Sequence, residues 1–482
     1  MKLLLASSEV HPYSKTGGLA DMVGALAKSL AHAGHTVSLI TPLYAGIHEK
    51  FPNLLPLKIK LDLPLGARNV PGDIWTLSPV ENLTVYFIDQ PEFYFRHSPY
   101  LQPDGISYPD NDERFIFFSK AVVHLTQHVL KPDLVHVHDW QVGFVPLLMR
   151  HEKLTGGWTN PPPTILTIHN LAYQGTFPAW RYSYTNLPWD YFNSNGVEFY
   201  GQMNCLKAGI AFADIVSTVS PRYAREITTQ EYGCGLEGLL QVRQDVLIGI
   251  LNGVDYEEWN TTHNPHLRHA YSADKLGGKT ANKLDLQREL GLPVDARIPL
   301  FGSITRLADQ KGVDILLGAL EEMLSAEMQF VVLGSGDPKF EEGYRDLARR
   351  YPTKVSARIG FNQVLSQQIE AGCDFFIMPS RFEPCGLNQM YSLHYGTVPI
   401  VRITGGLDDS VTDISEDRDR ADGIKFAEYS SNVLAKGIRK ALALFGEPEL
   451  LTHYRINGMT VDFSWEKTAR KYVEVYQRLL KR

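Results

Sequence analysis

The hexapeptide Thr16-Gly17-Gly18-Leu19-Ala20-Asp21 returns toward the far end of the chain as Thr404-Gly405-Gly406-Leu407-Asp408-Asp409. Both copies read T-G-G-L-x-D, and the residues around each point to a loop that opens a helix. Paired glycines let a backbone turn sharply and approach a ligand that side chains would keep away. The helix N-terminus behind them offers N–H groups and a partial positive charge, suited to phosphate or sugar oxygens. Two such loops near opposite ends predict two related lobes that present matched loops to a shared cleft.

Length agrees with that expectation. A chain of 482 residues exceeds the size at which one hydrophobic core usually stops growing, so two or three domains are expected. The apolar fraction of 44% and charged fraction of 21% are those of an ordinary globular protein. With 47 basic against 54 acidic side chains the formal charge is −7, and there is no long basic run. Nucleic acid and anionic membrane are therefore poor partners, and an anionic ligand must be met by local cations. Cys205, Cys234, Cys373 and Cys385 lack CxxC spacing, which argues for reduced thiols. The apolar start at residues 3–6 ends at Glu9 and His11, too soon for a signal peptide, and no stretch is long enough to span a bilayer. The expected location is the cytoplasm.

Residues 3–7 read as a buried strand. Leu19, Met22, Val23, Leu26 and Leu30 form one face of a helix that Gly34 stops, and residues 36–40 form the next strand. Strand, Gly-rich turn, helix and strand open a parallel α/β sheet. Further strands are expected at 85–88, 134–137, 164–168 and 215–219, with a helix over 112–130. A second series begins after Asn252-Gly253-Val254-Asp255, with strands at 299–303, 329–333, 355–359, 375–378 and 398–401 and a helix over 312–324. The pattern predicts an α/β protein of two doubly wound lobes, 1–245 and 246–462. A C-terminal helix over 463–482 shows Val473, Tyr476 and Leu480 as its apolar positions.

The richest segment, Pro379-Ser380-Arg381-Phe382-Glu383-Pro384-Cys385-Gly386-Leu387, follows a strand end, where open α/β sheets place their ligand loops. Pro384 holds Glu383 extended, and a carboxylate there can accept from sugar hydroxyls; a plain first-turn acid serving a helix dipole is the other reading. Arg306 and Lys311, flanking Gln310 after another strand end, can converge on one anion and compensate a diphosphate leaving group without a metal; two solvated surface cations are the alternative. His136 and His138 share one strand face and invite a metal, yet no third ligand is near. Asp139, His169 and Asn170 follow strand ends and are better placed as ligand-facing residues. No nucleophile setting, P-loop or G-x-G-x-x-G occurs where each is expected.

Taken together these segments resemble the bacterial glycogen synthases and plant starch synthases, which transfer glucose from ADP-glucose to α-1,4-glucans. The resemblance runs nearly end to end. It includes Lys15 to Asp21, His138-Asp139-Trp140, Thr167 to Gly175, Leu251 to Asp255, Arg306 with Gln310-Lys311-Gly312, Pro379 to Leu387 and Thr404 to Leu407. Other retaining transferases often carry a second glutamate eight positions after the first; here that position is Tyr391, and glycogen synthases tend to lack that second acid too.

The resemblance implies a GT-B fold, with two Rossmann-like lobes facing a cleft and the last helix crossing back to the first. It implies a retaining, metal-independent transfer with no cofactor. Arg306 and Lys311 would hold the diphosphate, Lys15, Gly17 and Gly18 would approach the donor, and Glu383 and Cys385 would sit against its glucose. Gln310, Gly386, Leu387, Asn252 and the Thr404-Gly405-Gly406 backbone would complete the donor site. Asp139, His169, Asn170 and Tyr100 would line the sugar and acceptor side. A UDP-glucose-dependent transferase with another acceptor, and an inactive glucan-binding paralogue, are the competing readings. Oligomeric state is left open.

Overall fold

A computed structural model describes residues 1–481. The chain divides into two compact units, Met1–Gly253 together with the residues from Trp465 onward, and Val254–Ser464. The first unit runs past residue 245 because the strand Leu247–Gly249 pairs in parallel with Ile215–Thr218 and closes that edge of its sheet.

The first unit is built on a nine-stranded sheet. Seven strands are parallel, in the order Leu247–Gly249, Ile215–Thr218, Thr164–Ile168, Leu134–His138, Lys2–Ala6, Thr36–Pro42 and Leu83–Asp89. Two long antiparallel strands, Arg68–Val80 and Leu55–Leu65, extend one edge; the sequence reading did not anticipate them. The second unit holds a six-stranded, all-parallel sheet in the order Val355–Ile359, Gln329–Gly334, Leu300–Ile304, Phe375–Met378, Val398–Arg402 and Ile424–Phe426. These strands are buried runs of Val, Ile, Leu and Phe, as parallel strands covered on both faces must be.

In each unit the chain's early strand lies in the middle and later strands flank it on both sides. Lys2–Ala6 sits between Leu134–His138 and Thr36–Pro42, and Leu300–Ile304 sits between Gln329–Gly334 and Phe375–Met378. Strand order reverses at those points, so the loops leaving the C-terminal strand ends diverge and leave room for a ligand.

The helix Gly18–His32 buries Leu19, Met22, Val23, Leu26 and Leu30, the face its periodicity predicts. The helix expected over 112–130 is α-helical over Asn111–Leu125 and ends in a π-turn at Thr126–Leu130. The terminal helix Trp465–Leu480 buries Trp465, Tyr472, Tyr476 and Leu479. Of the expected apolar positions Tyr476 is buried, Val473 packs against the core as partly buried, and Leu480 is exposed. The Tyr476 hydroxyl reaches His136 Nδ1 at 2.8 Å, which anchors the helix to the first sheet. Among the described residues no helix is long and apolar enough to cross a membrane.

Candidate active site

Two clusters form, one in each unit, at the strand ends where order reverses. In the second unit the loop after Leu300–Ile304 carries Arg306, Gln310 and Lys311, and the loop after Phe375–Met378 carries Glu383. The two loops are bound to each other. Arg381 N donates to Gln310 O at 2.8 Å, and Asn388 Nδ2 donates to Ile304 O at 2.8 Å. Gly312 takes φ +70 and packs so closely that a Cβ would lie 2.1 Å from Pro379 O.

The buried Glu383 carboxylate accepts from Lys311 Nζ at 2.6 Å and from Ser380 Oγ at 3.0 Å on the same oxygen, Oε2. Its second oxygen is left to other donors. Lys311 retains donors beyond the one it gives Glu383. The Arg306 side chain is exposed, without a hydrogen-bond or ion partner among the described residues. Lys311 is thus tied to the carboxylate, and Arg306 is the cation facing solvent.

Cys385 is buried and forms no disulfide among the described residues. Gly386 sits at φ +70, and Leu387 precedes the helix Asn388–His394. The second T-G-G-L copy packs beneath Glu383. The Gly406 N–H lies 3.1 Å from both Glu383 O and Pro384 O, so it holds the Glu383 loop. The donor role expected of it toward a ligand is taken by the protein's own backbone. Thr404 and Gly405 are buried beside it.

In the first unit the cluster centres on a residue the sequence reading passed over. Glu9 follows the central strand and is 2% exposed. Its carboxylate accepts from Thr16 N, from Thr16 Oγ1 at 2.7 Å and from Tyr100 OH at 2.6 Å. It therefore fixes the loop bearing Lys15, Gly17 and Gly18, and joins Tyr100 to it. The sequence signal was available: an acid within three residues of a buried strand's end, much as Asp139 directly follows its own. Lys15 is exposed and pairs with Asp21 at 2.8 Å. Burial and the Glu9 charge hold the Tyr100 phenol well above its usual range.

Asp139 adopts φ 61 and ψ −174, a region almost reserved for glycine. Two bonds impose it: Asp139 N donates to Thr167 O at 2.9 Å, and His169 N donates to Asp139 Oδ1 at 2.7 Å. Burial raises the Asp139 carboxyl to about 7. His169 is half-buried, and burial lowers it to about 3, so its ring is neutral at physiological pH. Asn170 Oδ1 caps the next turn by accepting from Ala172 N at 3.0 Å. Asn252 belongs to this unit, with its Oδ1 buried and unpaired. His136 is bound on both nitrogens, to Tyr476 and to Thr167 Oγ1 at 2.6 Å, which leaves it no lone pair for a metal. Among the described residues no group of three His, Cys, Asp or Glu could hold a metal ion.

Residues 2–242 match the starch synthase catalytic domain and residues 289–458 match glycosyl transferases group 1. A glycogen synthase of Anaeromyxobacter sp. (strain Fw109-5) is 45% identical over 480 residues, covering 99% of both chains. The chain belongs to the glycogen and starch synthase family. A further member, the glycogen synthase of Thioalkalivibrio sulfidiphilus, is 45% identical over 495 residues and the full length of both chains. Among solved structures, the catalytic domain of starch synthase IV from Arabidopsis thaliana, bound to ADP and acarbose, is 33% identical. It has a TM-score of 0.89 and covers 100% of this chain and 99% of its own. Sucrose-phosphate synthase from Thermosynechococcus elongatus, at 18% identity and TM-score 0.61, shares the fold alone. That fold is GT-B, and the two parallel-sheet units of this family member are its two lobes.

One more feature of the second unit was missed in the sequence. Phe361 is 85% exposed just past the strand Val355–Ile359. It borders a groove of about 500 Å³ that Leu333, Arg358, Gly360 and Leu365 also line. The groove adjoins the Arg306 loop, because Gly360 N donates to Gly334 O and Thr305 N donates to Leu333 O.

Proposed function

We propose that the protein is a retaining glucosyltransferase that moves glucose from ADP-glucose to the non-reducing end of an α-1,4-glucan and releases ADP, without a metal or cofactor. The observation that carries this reading is the 2.6 Å contact of Lys311 with Glu383 beside an unpaired Arg306. One unit of chain here couples a carboxylate for sugar hydroxyls to cations for a phosphate. As the glycosyl–oxygen bond breaks, negative charge grows on the diphosphate, and Arg306 and Lys311 are the fixed charges that stabilise it. A diphosphate leaves readily, so no acid–base carboxylate pair of the glycosidase kind is required. The ADP complex of the Arabidopsis relative supports an adenine nucleotide, for which the exposed Phe361 offers a stacking face.

Asp139, His169, Asn170 and Tyr100 then serve the sugar and acceptor side, and Asn252 the donor side. Lys15 and the Gly17-Gly18 backbone contact the donor, and Gln310, Cys385, Gly386, Leu387, Thr404, Gly405 and Gly406 shape its pocket. A soluble, cytoplasmic enzyme acting on glycogen is the corresponding setting.

The test is nucleotide release and glucan elongation with a glycogen primer, run with ADP-glucose and with UDP-glucose. Turnover with ADP-glucose is expected, and Lys311→Ala should lower kcat by about 10²–10³-fold, the usual loss for one charge-stabilising donor. Absence of turnover with either donor would refute the synthase reading, and a preference for UDP-glucose would refute only the choice of base.

A further inference from the structure

We propose that His138 fixes the tautomer of His169, so that His169 meets a sugar oxygen as an Nδ1–H hydrogen-bond donor and never as a proton acceptor. The sugar ligand rests on the synthase reading above; the tautomer rests on geometry alone.

His138 ends the strand Leu134–His138 and is fully buried. Its Nδ1 lies 3.1 Å from His169 Nε2, a contact that needs one proton between two nitrogens. Its other nitrogen, Nε2, is buried without any hydrogen-bond partner. The His136 ring covers it at a centroid distance of 4.2 Å. His136 cannot supply the missing partner, because both of its nitrogens are engaged by Tyr476 and Thr167.

Three arrangements of protons are possible, and two are unfavourable. A charged His138 would place an ion in a buried site between two other imidazoles, and burial together with those rings lowers its pKa well below the usual range. A neutral His138 protonated on Nε2 would bury an N–H with no acceptor, and orphaned buried N–H groups are rarer than orphaned acceptors. The third arrangement puts the proton on His138 Nδ1 and leaves Nε2 as a bare lone pair. His138 then donates to His169 Nε2, which must be unprotonated, so the His169 proton sits on Nδ1.

That atom is the one a substrate can reach. The His169 ring is only half-buried, and its Nδ1 has no partner among the described residues. The main chain on either side is pinned, His169 N by Asp139 Oδ1 and Leu171 N by Tyr223 OH at 3.1 Å, so the ring is held in one orientation. A neutral N–H of fixed direction can bind a hydroxyl oxygen of the sugar. With Nε2 occupied and Nδ1 protonated, no lone pair remains to remove a proton. His138 is a positioning residue in this scheme, since it touches His169 and not the sugar.

The tautomer is read directly by long-range proton–nitrogen NMR on protein labelled with ¹⁵N-histidine, with the His169 signals assigned by substitution. A protonated Nδ1 and bare Nε2 are expected for His169 in the resting enzyme. In His138→Phe the Nε2–H form should gain population while kcat/KM for glucan elongation falls by roughly two- to tenfold, the worth of one net hydrogen bond. A second pair of variants does not depend on replacing the buried ring. The amide nitrogen of Asn falls near Nδ1 and that of Gln near Nε2, so His169→Asn should retain roughly threefold or more kcat/KM over His169→Gln. An Nε2–H tautomer in the wild-type protein, or Gln outperforming Asn, overturns the assignment with the synthase reading intact. No turnover with any nucleotide sugar overturns the synthase reading, and the sugar ligand with it, whatever the tautomer.

Discussion

The two T-G-G-L-x-D copies share a sequence and differ in what their glycines make room for. In the first, Lys15, Thr16, Gly17 and Gly18 are exposed. Gly17 is extended at φ −160, and a Cβ built on it would meet nothing within 4 Å. In the second, Thr404, Gly405, Gly406 and Leu407 are buried. Gly405 has φ +42, and a Cβ there would lie 2.0 Å from Glu383 O. The helix that follows runs Gly18–His32 in one case and only Gly405–Ser410 in the other. The open copy leaves free space around Gly17. The closed copy leaves space for the chain's own Glu383 loop, and the Gly406 N–H that bonds Glu383 O shows what it holds. Identical letters therefore do different work, and burial decides which.

The largest expected effect comes from breaking the closed copy. Gly405→Ala adds a side chain where backbone strain and a hard contact with Glu383 O coincide. The expected loss is about 2–4 kcal/mol of stability, from the strained φ and from overpacking together. Urea denaturation followed by circular dichroism measures it, and glucosyl transfer should fall as well because Glu383 rides on that contact. An unchanged midpoint would show that the loop yields without resistance and that the copy is no scaffold.

The open copy is fixed differently, by one side chain in place of packing. Glu9→Gln keeps the size and one accepting oxygen for Thr16 Oγ1 and Tyr100. It also turns an NH₂ toward the Thr16 N–H, which then has no acceptor. About 1–3 kcal/mol is the cost of such an orphaned group. The affected loop is exposed, so it can move to water and the stability loss should fall at the lower end. KM for the nucleotide sugar should rise more than kcat falls, as steady-state kinetics would show. A fall in kcat alone would place Glu9 in the chemical step.

Both strand-end loops and all the parallel strands but the three-residue edge strands Leu247–Gly249 and Ile424–Phe426 were legible in the sequence, because buried parallel strands are continuous apolar runs between turn signals. Arg306, Lys311 and Glu383 stood out for the same reason, each just past such a run. The antiparallel pair Leu55–Leu65 and Arg68–Val80 was missed although its signal was present. Lys58, Lys60 and Asp62 alternate with the inward-facing Leu57, Ile59, Leu61 and Leu63, the period-2 pattern of a half-buried strand, where the reading followed continuous apolar runs. The Lys311–Glu383 and Glu9–Thr16 bonds were hidden, since each joins separate segments and no local pattern encodes them. On the last helix Tyr476 is buried and Val473 packs against the core as partly buried, but Leu479 takes the inward place expected of Leu480, because a short amphipathic pattern leaves its rotation loose by about one residue.

Gly17→Ala gives the smallest effect on stability and the sharpest test of the comparison. Its backbone is in a region any residue adopts, and an added methyl has open space around it. Replacing glycine there also removes conformational freedom from the unfolded chain, so stability should stay level or rise by up to about 1 kcal/mol. The methyl would occupy the space through which a donor phosphate or sugar reaches the Gly17-Gly18 backbone. Activity should therefore drop while the melting temperature does not, the reverse of any packing defect. Full activity in Gly17→Ala would mean that the open loop keeps its glycines for some purpose other than ligand approach. The two copies would then differ only in depth of burial.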